Sequence, residues 1–330
     1  MRVSDYLLRR LAEVGIDKAF CVYGGAISEL MDAFTRQSAI QYVVPIHESA
    51  AGFMAEGYAK TKHVPGVAIA TSGPGGGNLV TPIQNCFYDS TPAIFVTGQV
   101  QARFMRPNET VRQFGFQETP IVDIVRPITK WAHCVKSAEG IRAVMDRALS
   151  ECTSGRPGPV LIDLPIDLQK METTPDAMFG VVAEPMREPP ADAVYDYLTD
   201  LAAAKRPAIL VGGGAYRARY HIERFAAQHA IPVFRTWNAQ DIVTDDMPIY
   251  GGTVGTYGGP GRNFGIQNCD LLLALGCRFS GRITGGKPET FARGAKKYVV
   301  DIDPVAVDPQ HQQVKCDVNV HADAREFAML

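Results

Sequence analysis

The sequence predicts an α/β protein of two domains, each a mainly parallel sheet with helices on both faces. Short β-rich runs alternate with helical patterns along the whole chain, and Gly-rich or Pro-rich turns follow the runs. The texture then breaks over residues 175–192, where Pro175, Pro185, Pro189 and Pro190 sit among charged neighbours without a sustained apolar period. Such a stretch reads as a linker. It divides the chain into expected domains 1–180 and 190–330.

In the first domain, residues 19–22, 41–45, 67–71, 93–97 and 160–164 read as strands. Helical patterns fill 27–34, 49–60, 78–87 and 140–151. After the linker the alternation restarts, with strands at 208–211, 232–235, 270–275 and 297–302. No short repeat or low-complexity tract interrupts this order.

Composition narrows the function. The 330 residues are 46% hydrophobic and 21% charged, as in a globular protein. A formal net charge of -2 gives no electrostatic footprint for nucleic acid or anionic lipid, so neither is an expected partner. Apolar runs such as 271–275 are far shorter than the ~20 residues of a membrane span. The seven cysteines are scattered, odd in number and never in a C-x-x-C pair. With no recognisable export signal, they lead us to expect a cytoplasmic setting, without a disulfide framework or zinc site.

Two short segments can carry chemistry. His47-Glu48 follows a strand and opens a helix, where the positive helix end favours a carboxylate in any case. No second His follows to complete a zinc motif. Thr71-Ser72-Gly73-Pro74-Gly75-Gly76-Gly77-Asn78 also joins a strand to a helix. Its glycines suit a tight turn or a generic anion cradle, and the Lys-Ser/Thr pair of a Walker A loop is missing. Alone, neither segment decides anything.

Their order and company do. Phe20-Cys21-Val22-Tyr23-Gly24-Gly25-Ala26 comes before them, and Asp89-Ser90-Thr91-Pro92, Thr97-Gly98-Gln99, Phe116-Gln117-Glu118-Thr119-Pro120 and Ser154-Gly155-Arg156-Pro157-Gly158-Pro159 come after. This series resembles the acetolactate synthase group of thiamine-diphosphate enzymes over nearly all of residues 1–170, and more thinly to the end. In that group a Glu at the Glu48 position hydrogen-bonds the pyrimidine N1′, favouring the imino form that takes the thiazolium proton. The resemblance thus makes Glu48 catalytic and makes 1–180 a pyrimidine-binding domain. By position, Pro74, Asn78 and Gln117 match residues lining the cofactor, Gly25 and Ala26 a turn beside the reacting carbon, and Phe116 a residue of the substrate channel.

The sequence also departs from the group. Cys21 and Tyr23 stand where Gly and Pro are common, leaving the shape of the glycine turn open. Ser49 replaces a common Gln, and Ile166 a frequent Lys. These changes touch the turn and the channel more than the activation step.

The second domain resembles the group's middle domain, which holds FAD without a net redox role. Matching positions are Arg156, Gly212, Gly213, Gly214, Thr236, Gly276, Arg278, Asp301 and Asp323, making FAD an expected candidate cofactor. The group's Arg-Phe-Asp-Asp-Arg reads Arg278-Phe279-Ser280-Gly281-Arg282 here, without its two acids. Arg282 matches an arginine that recognises a 2-oxo-acid acceptor, for which a guanidinium suits a carboxylate. Family members carry a third domain whose Gly-Asp-Gly and distant Asn bind Mg²⁺ and through it the diphosphate. Those motifs are not found here. The sequence is then either one subunit of a split enzyme or a fragment of a longer protein; we expect the former, with no metal ligands on this chain and a partner subunit carrying the diphosphate-binding domain, in an α2β2 assembly. The activity expected is decarboxylation of a 2-oxo acid such as pyruvate, then ligation to a carbonyl acceptor. A plain decarboxylase or lyase and a non-catalytic regulatory paralogue are the alternatives.

Overall fold

The protein is described from a computed structural model, over residues 1–174 and 186–329. Most of the expected linker, with Pro175 and Pro185, lies outside the described residues. The chain divides into two compact units, Met1–Glu184 and Pro185–Leu330.

The first unit runs α1 (Val3–Glu13), β1 (Lys18–Cys21), α2 (Ser28–Phe34), β2 (Gln41–Val43), α3 (Glu48–Lys62), β3 (Gly66–Ala70), α4 (Pro74–Asn78) and α5 (Val80–Asp89). It continues with β4 (Ala93–Gln99), α6 (Ile121–Val125), β5 (Trp131–Cys134), α7 (Ile141–Thr153), β6 (Pro159–Pro165) and α8 (Ile166–Gln169). The strands form one parallel sheet in the order β2-β1-β3-β4-β6-β5. Its three central strands β3, β4 and β6 are buried throughout, as expected of a parallel sheet covered on both faces.

Side chains alternate across each strand. Val67, Ile69, Ile94, Val96 and Ile162 pack with Leu7 and Leu11 of α1, Leu30 of α2 and Leu149 of α7. The intervening Ala68, Ala70, Phe95 and Leu161 pack with Ala51 and Ala55 of α3, Ile83 of α5 and Val125 of α6. Each large apolar side chain so buried contributes about 1.5–3 kcal/mol.

The second unit runs α9 (Ala191–Ala203), β7 (Pro207–Val211), α10 (Arg219–Gln228), β8 (Val233–Arg235), β9 (Tyr250–Thr253) and α11 (Pro260–Gln267). Then come β10 (Leu271–Leu275), α12 (Gly281–Thr284), β11 (Lys296–Asp301), β12 (Val318–His321) and α13 (Ala324–Ala328). The sheet is again parallel, in the order β12-β11-β10-β7-β8-β9. Ile209, Leu273 and Tyr298 face Tyr197 and Phe225, while Leu210, Leu272 and Val299 face Ile266 and Phe291.

Both sheets match the predicted class. The structure adds β5, β9 and β12, which the sequence reading did not identify, and all three lie at sheet edges. Half-covered strands such as Trp-Ala-His-Cys or Tyr-Gly-Gly-Thr lack the continuous apolar run that marks a central strand. Among the described residues no helix is long and apolar enough to cross a membrane. All seven cysteines are free thiols.

Candidate active site

In open parallel sheets ligands bind outside the carboxyl ends of the strands, where the strand order reverses. In the first sheet β1 lies between β2 and β3, so the loops leaving β1 and β3 flank that point. Gly25, Ala26, the helix start at Glu48 and the short helix ending at Asn78 all lie at this edge.

Glu48 is the first residue of α3. His47 precedes it in extended conformation and caps the helix, its Nδ1 accepting the Ser49 amide hydrogen at 3.1 Å. A side-chain acceptor here satisfies one of the N–H groups that have no partner inside the helix. From the end of the neighbouring short helix α4, Asn78 donates its side-chain amide to Glu48 Oε2 at 2.9 Å. Ser49 returns the contact, its hydroxyl donating to the Asn78 carbonyl at 2.7 Å. A side chain at Gly75 would stand 3.5 Å from Glu48 Oε1. The two segments singled out in the sequence therefore form one clasp, with the Glu48 carboxylate half-buried at its centre.

Pro74 is the exposed first residue of α4. It follows Gly73, whose φ of +64° is the left-handed region that favours glycine. A side chain at Gly73 would meet Gln117 Cβ at 2.8 Å. Gln117 itself has a φ of +58°, so the structure brings Gln117 against the Gly73-Pro74 turn. Beside it Phe116 is 85% exposed. Both sit on the long loop from β4 to α6. Glu118 organises that loop from within: it is buried, and its carboxylate accepts the amide hydrogens of Arg106 at 2.6 Å, Phe114 at 2.9 Å and Gly115 at 3.3 Å. The loop is also tied to the sheet. Gln99 donates to the Thr119 carbonyl at 2.9 Å and to Asp163 at 3.0 Å, and Thr97 donates to Asp163 at 2.8 Å. Burial pushes the Asp163 carboxyl up to about 7, against the opposing hydrogen bonds from Gln99, Thr97 and Cys134.

The Gly25–Ile27 turn is a single 3₁₀ turn between β1 and α2. Its Ala26 amide donates to Thr71 Oγ1 at 3.2 Å. Cys21, where the resembling group commonly has Gly, is a fully buried strand residue, and burial pushes its thiol up. Tyr23 is exposed. Neither replacement prevents the turn from seating against Thr71.

The second-unit candidates lie at the corresponding edge of their own sheet. Counted along the chain its strands run 3-2-1-4-5-6, with the order reversing between β7 and β10. Gly212, Gly213 and Gly214 follow β7, and Gly276 and the exposed Arg278 follow β10. Thr236 follows β8, Asp301 ends β11, and Asp323 follows β12. Gly212 and Gly276 have an immediate structural reason: a side chain on either would collide with the backbone of the other loop. Asp323 caps α13, accepting the Arg325 amide hydrogen at 2.8 Å. Asp301 accepts the Asp303 amide hydrogen at 2.9 Å. Arg282 is exposed on α12, while its carbonyl accepts from Thr256. Arg156 is placed differently, at the amino-terminal edge of the first sheet, donating to Ser90 at 2.8 Å. Among the described residues no group of three or more His, Cys, Asp or Glu side chains is placed to hold a metal ion.

Sequence reasoning missed His47 as a cap and gave no role to Thr71, Glu118, Asp163 or Gln169. Only His47 had a local signal, an acceptor side chain directly before a helix.

Residues 1–124 match the model of the thiamine pyrophosphate enzyme N-terminal TPP binding domain, and residues 195–329 match that of the central domain. The chain is 37% identical to acetolactate synthase, chloroplastic, of Arabidopsis thaliana over 310 residues, covering 92% of this chain and 45% of that protein. It is 36% identical to acetolactate synthase 2, chloroplastic, of Brassica napus over 326 residues, covering 96% of this chain and 50% of that protein. It is likewise 36% identical to acetolactate synthase 1, chloroplastic, of Zea mays over 327 residues, with 98% and 50% covered. The chain thus spans about half the length of the curated relatives it matches. Two family models in register with two parallel-sheet units, and relatives aligned across nearly the whole chain, place this protein among the thiamine pyrophosphate enzymes, with acetolactate synthases as its relatives.

Proposed function

We propose that this chain supplies the aminopyrimidine half of a thiamine-diphosphate site in an acetolactate-synthase-like carboligase. The observation that carries the reading is the clasp in which Asn78 orients the half-buried Glu48 carboxylate at the sheet's switch point. The residues suit the group: an acceptor at Glu48, a donor holding it from Asn78, and a turn at Gly73-Pro74 too tight for further side chains. Thiamine diphosphate supplies a thiazolium carbon that becomes nucleophilic on losing its proton, and an electron sink for decarboxylation. Asn78 engages Oε2, so Glu48 Oε1 is the carboxylate oxygen that would accept from or donate to the aminopyrimidine were the cofactor bound. Gly25 and Ala26 would form a wall beside the thiazolium, and Phe116 and Gln117 would line the substrate's approach.

The substrate in this reading is a 2-oxo acid, with pyruvate first, and the acceptor a second carbonyl compound. Arg282 is the guanidinium for the acceptor carboxylate. In this reading the Mg²⁺ and diphosphate ligands come from a segment carrying the group's Gly-Asp-Gly and distant Asn, on a partner subunit in an α2β2 assembly. FAD on the second unit is supported by the doubly wound strand order and by Gly212 to Gly214, Thr236, Gly276 and Arg278 at its reversal point. An absorbance spectrum of the purified protein tests it, since a colourless sample that gains nothing from added FAD removes flavin from the proposal. Product analysis of the assembled enzyme tests the activity. Pyruvate with a carbonyl acceptor should give a ligated product, whereas aldehyde alone in both arms assigns a plain decarboxylase. No turnover by an assembly that binds the cofactor assigns a regulatory role.

A further inference from the structure

Gln169 ends the four-residue helix α8 and is fully buried. Its side-chain amide meets three backbone groups. Nε2 donates to the Ala26 carbonyl at 2.7 Å and to the Leu164 carbonyl at 2.9 Å, and Oε1 accepts the Leu30 amide hydrogen at 3.1 Å. Chemistry fixes this orientation, because the reverse would set an oxygen against two carbonyls and an NH₂ against an N–H.

Ala26 and Leu30 are four residues apart, the carbonyl and N–H that would bond to each other if α2 extended one turn further back. Gln169 takes both. Its amide enters the ladder like an extra peptide group, so α2 starts at Ser28 and residues Gly25–Ile27 remain a 3₁₀ turn. The turn is held from the other side as well. Thr71 accepts the Ala26 amide hydrogen at 3.2 Å, and a side chain at Gly98 would run into the Ala26 carbonyl.

We infer that Gln169 is a positioning residue for the active site: by splitting the Ala26–Leu30 helical bond it holds the Gly25–Ala26 turn at the carboxyl edge of the sheet. The catalytic part of this inference rests on the thiamine-diphosphate reading, and the structural part does not. Only glutamine fits. Glutamate would set carboxylate oxygens against two buried carbonyls, and methionine would fill the space but allow Ala26 to bond Leu30 directly.

The test uses Gln169→Met and two readouts. In this chain alone, amide exchange at Ala26 should rise about tenfold as the turn leaves Thr71, with amides of β3 and β4 unchanged. In the assembled enzyme, kcat should fall about a hundredfold while thiamine-diphosphate affinity and KM stay within about threefold. Gln169→Asn keeps the amide one methylene short and should show the same pattern at smaller size, which serves if the Met variant does not fold. Unchanged exchange at Ala26 overturns the inference. So does a uniform rise in exchange across the whole unit, with lost activity matching lost folded protein, because Gln169 would then be ordinary core. If the wild-type assembly binds no thiamine diphosphate, the functional reading fails, and the Ala26 exchange result still decides the structural claim.

Discussion

Asn78 donates its side-chain amide to Glu48 Oε2 at 2.9 Å, so the last residue of one short helix orients the first residue of a long one. The contact joins the segments that follow β2 and β3, and it engages one of the two carboxylate oxygens. Asn78→Ala removes the donor without adding a charge. It should lower kcat/KM of the assembled enzyme about tenfold to a hundredfold, matching about 1.5–3 kcal/mol for a hydrogen bond to a charged group. Asn78→Asp should lower it further, since two carboxylates would then share the clasp.

Ser49 stands where the resembling enzymes commonly carry Gln, and here its hydroxyl holds the Asn78 carbonyl at 2.7 Å. Ser49→Ala should destabilise the chain by about 1 kcal/mol in denaturant titration. Ser49→Thr keeps the hydroxyl and should recover most of that loss. If Ala and Thr behave alike, the hydroxyl does not brace the loop.

Gly73 combines a φ of +64° with Gln117 packed against it. Gly73→Ala should cost at least about 1–2 kcal/mol of stability through backbone strain alone, and more through the displaced Gln117. Gly77, exposed and with open space at its Cβ, is the control. Gly77→Ala should leave the melting temperature within a few degrees of wild type, because it meets nothing and removes glycine's entropy cost.

Asp163 gives the fold a pH signature. Its carboxyl rises from an ordinary 3.8 to about 7 because burial disfavours the charged form. The folded state therefore holds this proton at pH values where the unfolded chain has released it. Its contribution to stability is full below about pH 4 and is lost as pH rises toward about 7, on the order of 4 kcal/mol in all. The comparison is with Asp163→Asn, so that other groups cancel. The stability difference, wild type minus variant, should fall between pH 4 and 7 and level off above. A flat difference would mean that Asp163 is ionised throughout.

The parts of the site legible in the sequence were those where a strand passes through marked residues into a helix. His47-Glu48 and the Gly73–Asn78 loop lie at such passages, and punctuation by Gly and Pro showed where each helix starts. Gln169, Glu118 and Asp163 carried no comparable sign. Gln169 reaches a carbonyl 143 residues away, and a buried amide on a short helix has no periodicity to betray it. Asp163 sits inside an apolar strand, where the partners Thr97 and Gln99, brought alongside by the β4–β6 pairing, explain a carboxyl. The edge strands β5, β9 and β12 escaped for a related reason: half their surface faces water, so their residues need not be apolar.

Glu48→Gln in the assembled enzyme tests the proposed role most directly. Gln keeps the size and one acceptor oxygen but would be unable to exchange a proton with the aminopyrimidine that the proposal seats there. Thiamine diphosphate should bind with affinity within a few-fold of wild type, while turnover of pyruvate falls by about 10²–10⁴-fold, the size of a lost general acid–base. Equal turnover by wild type and Glu48→Gln, both loaded with the cofactor, would contradict the proposal.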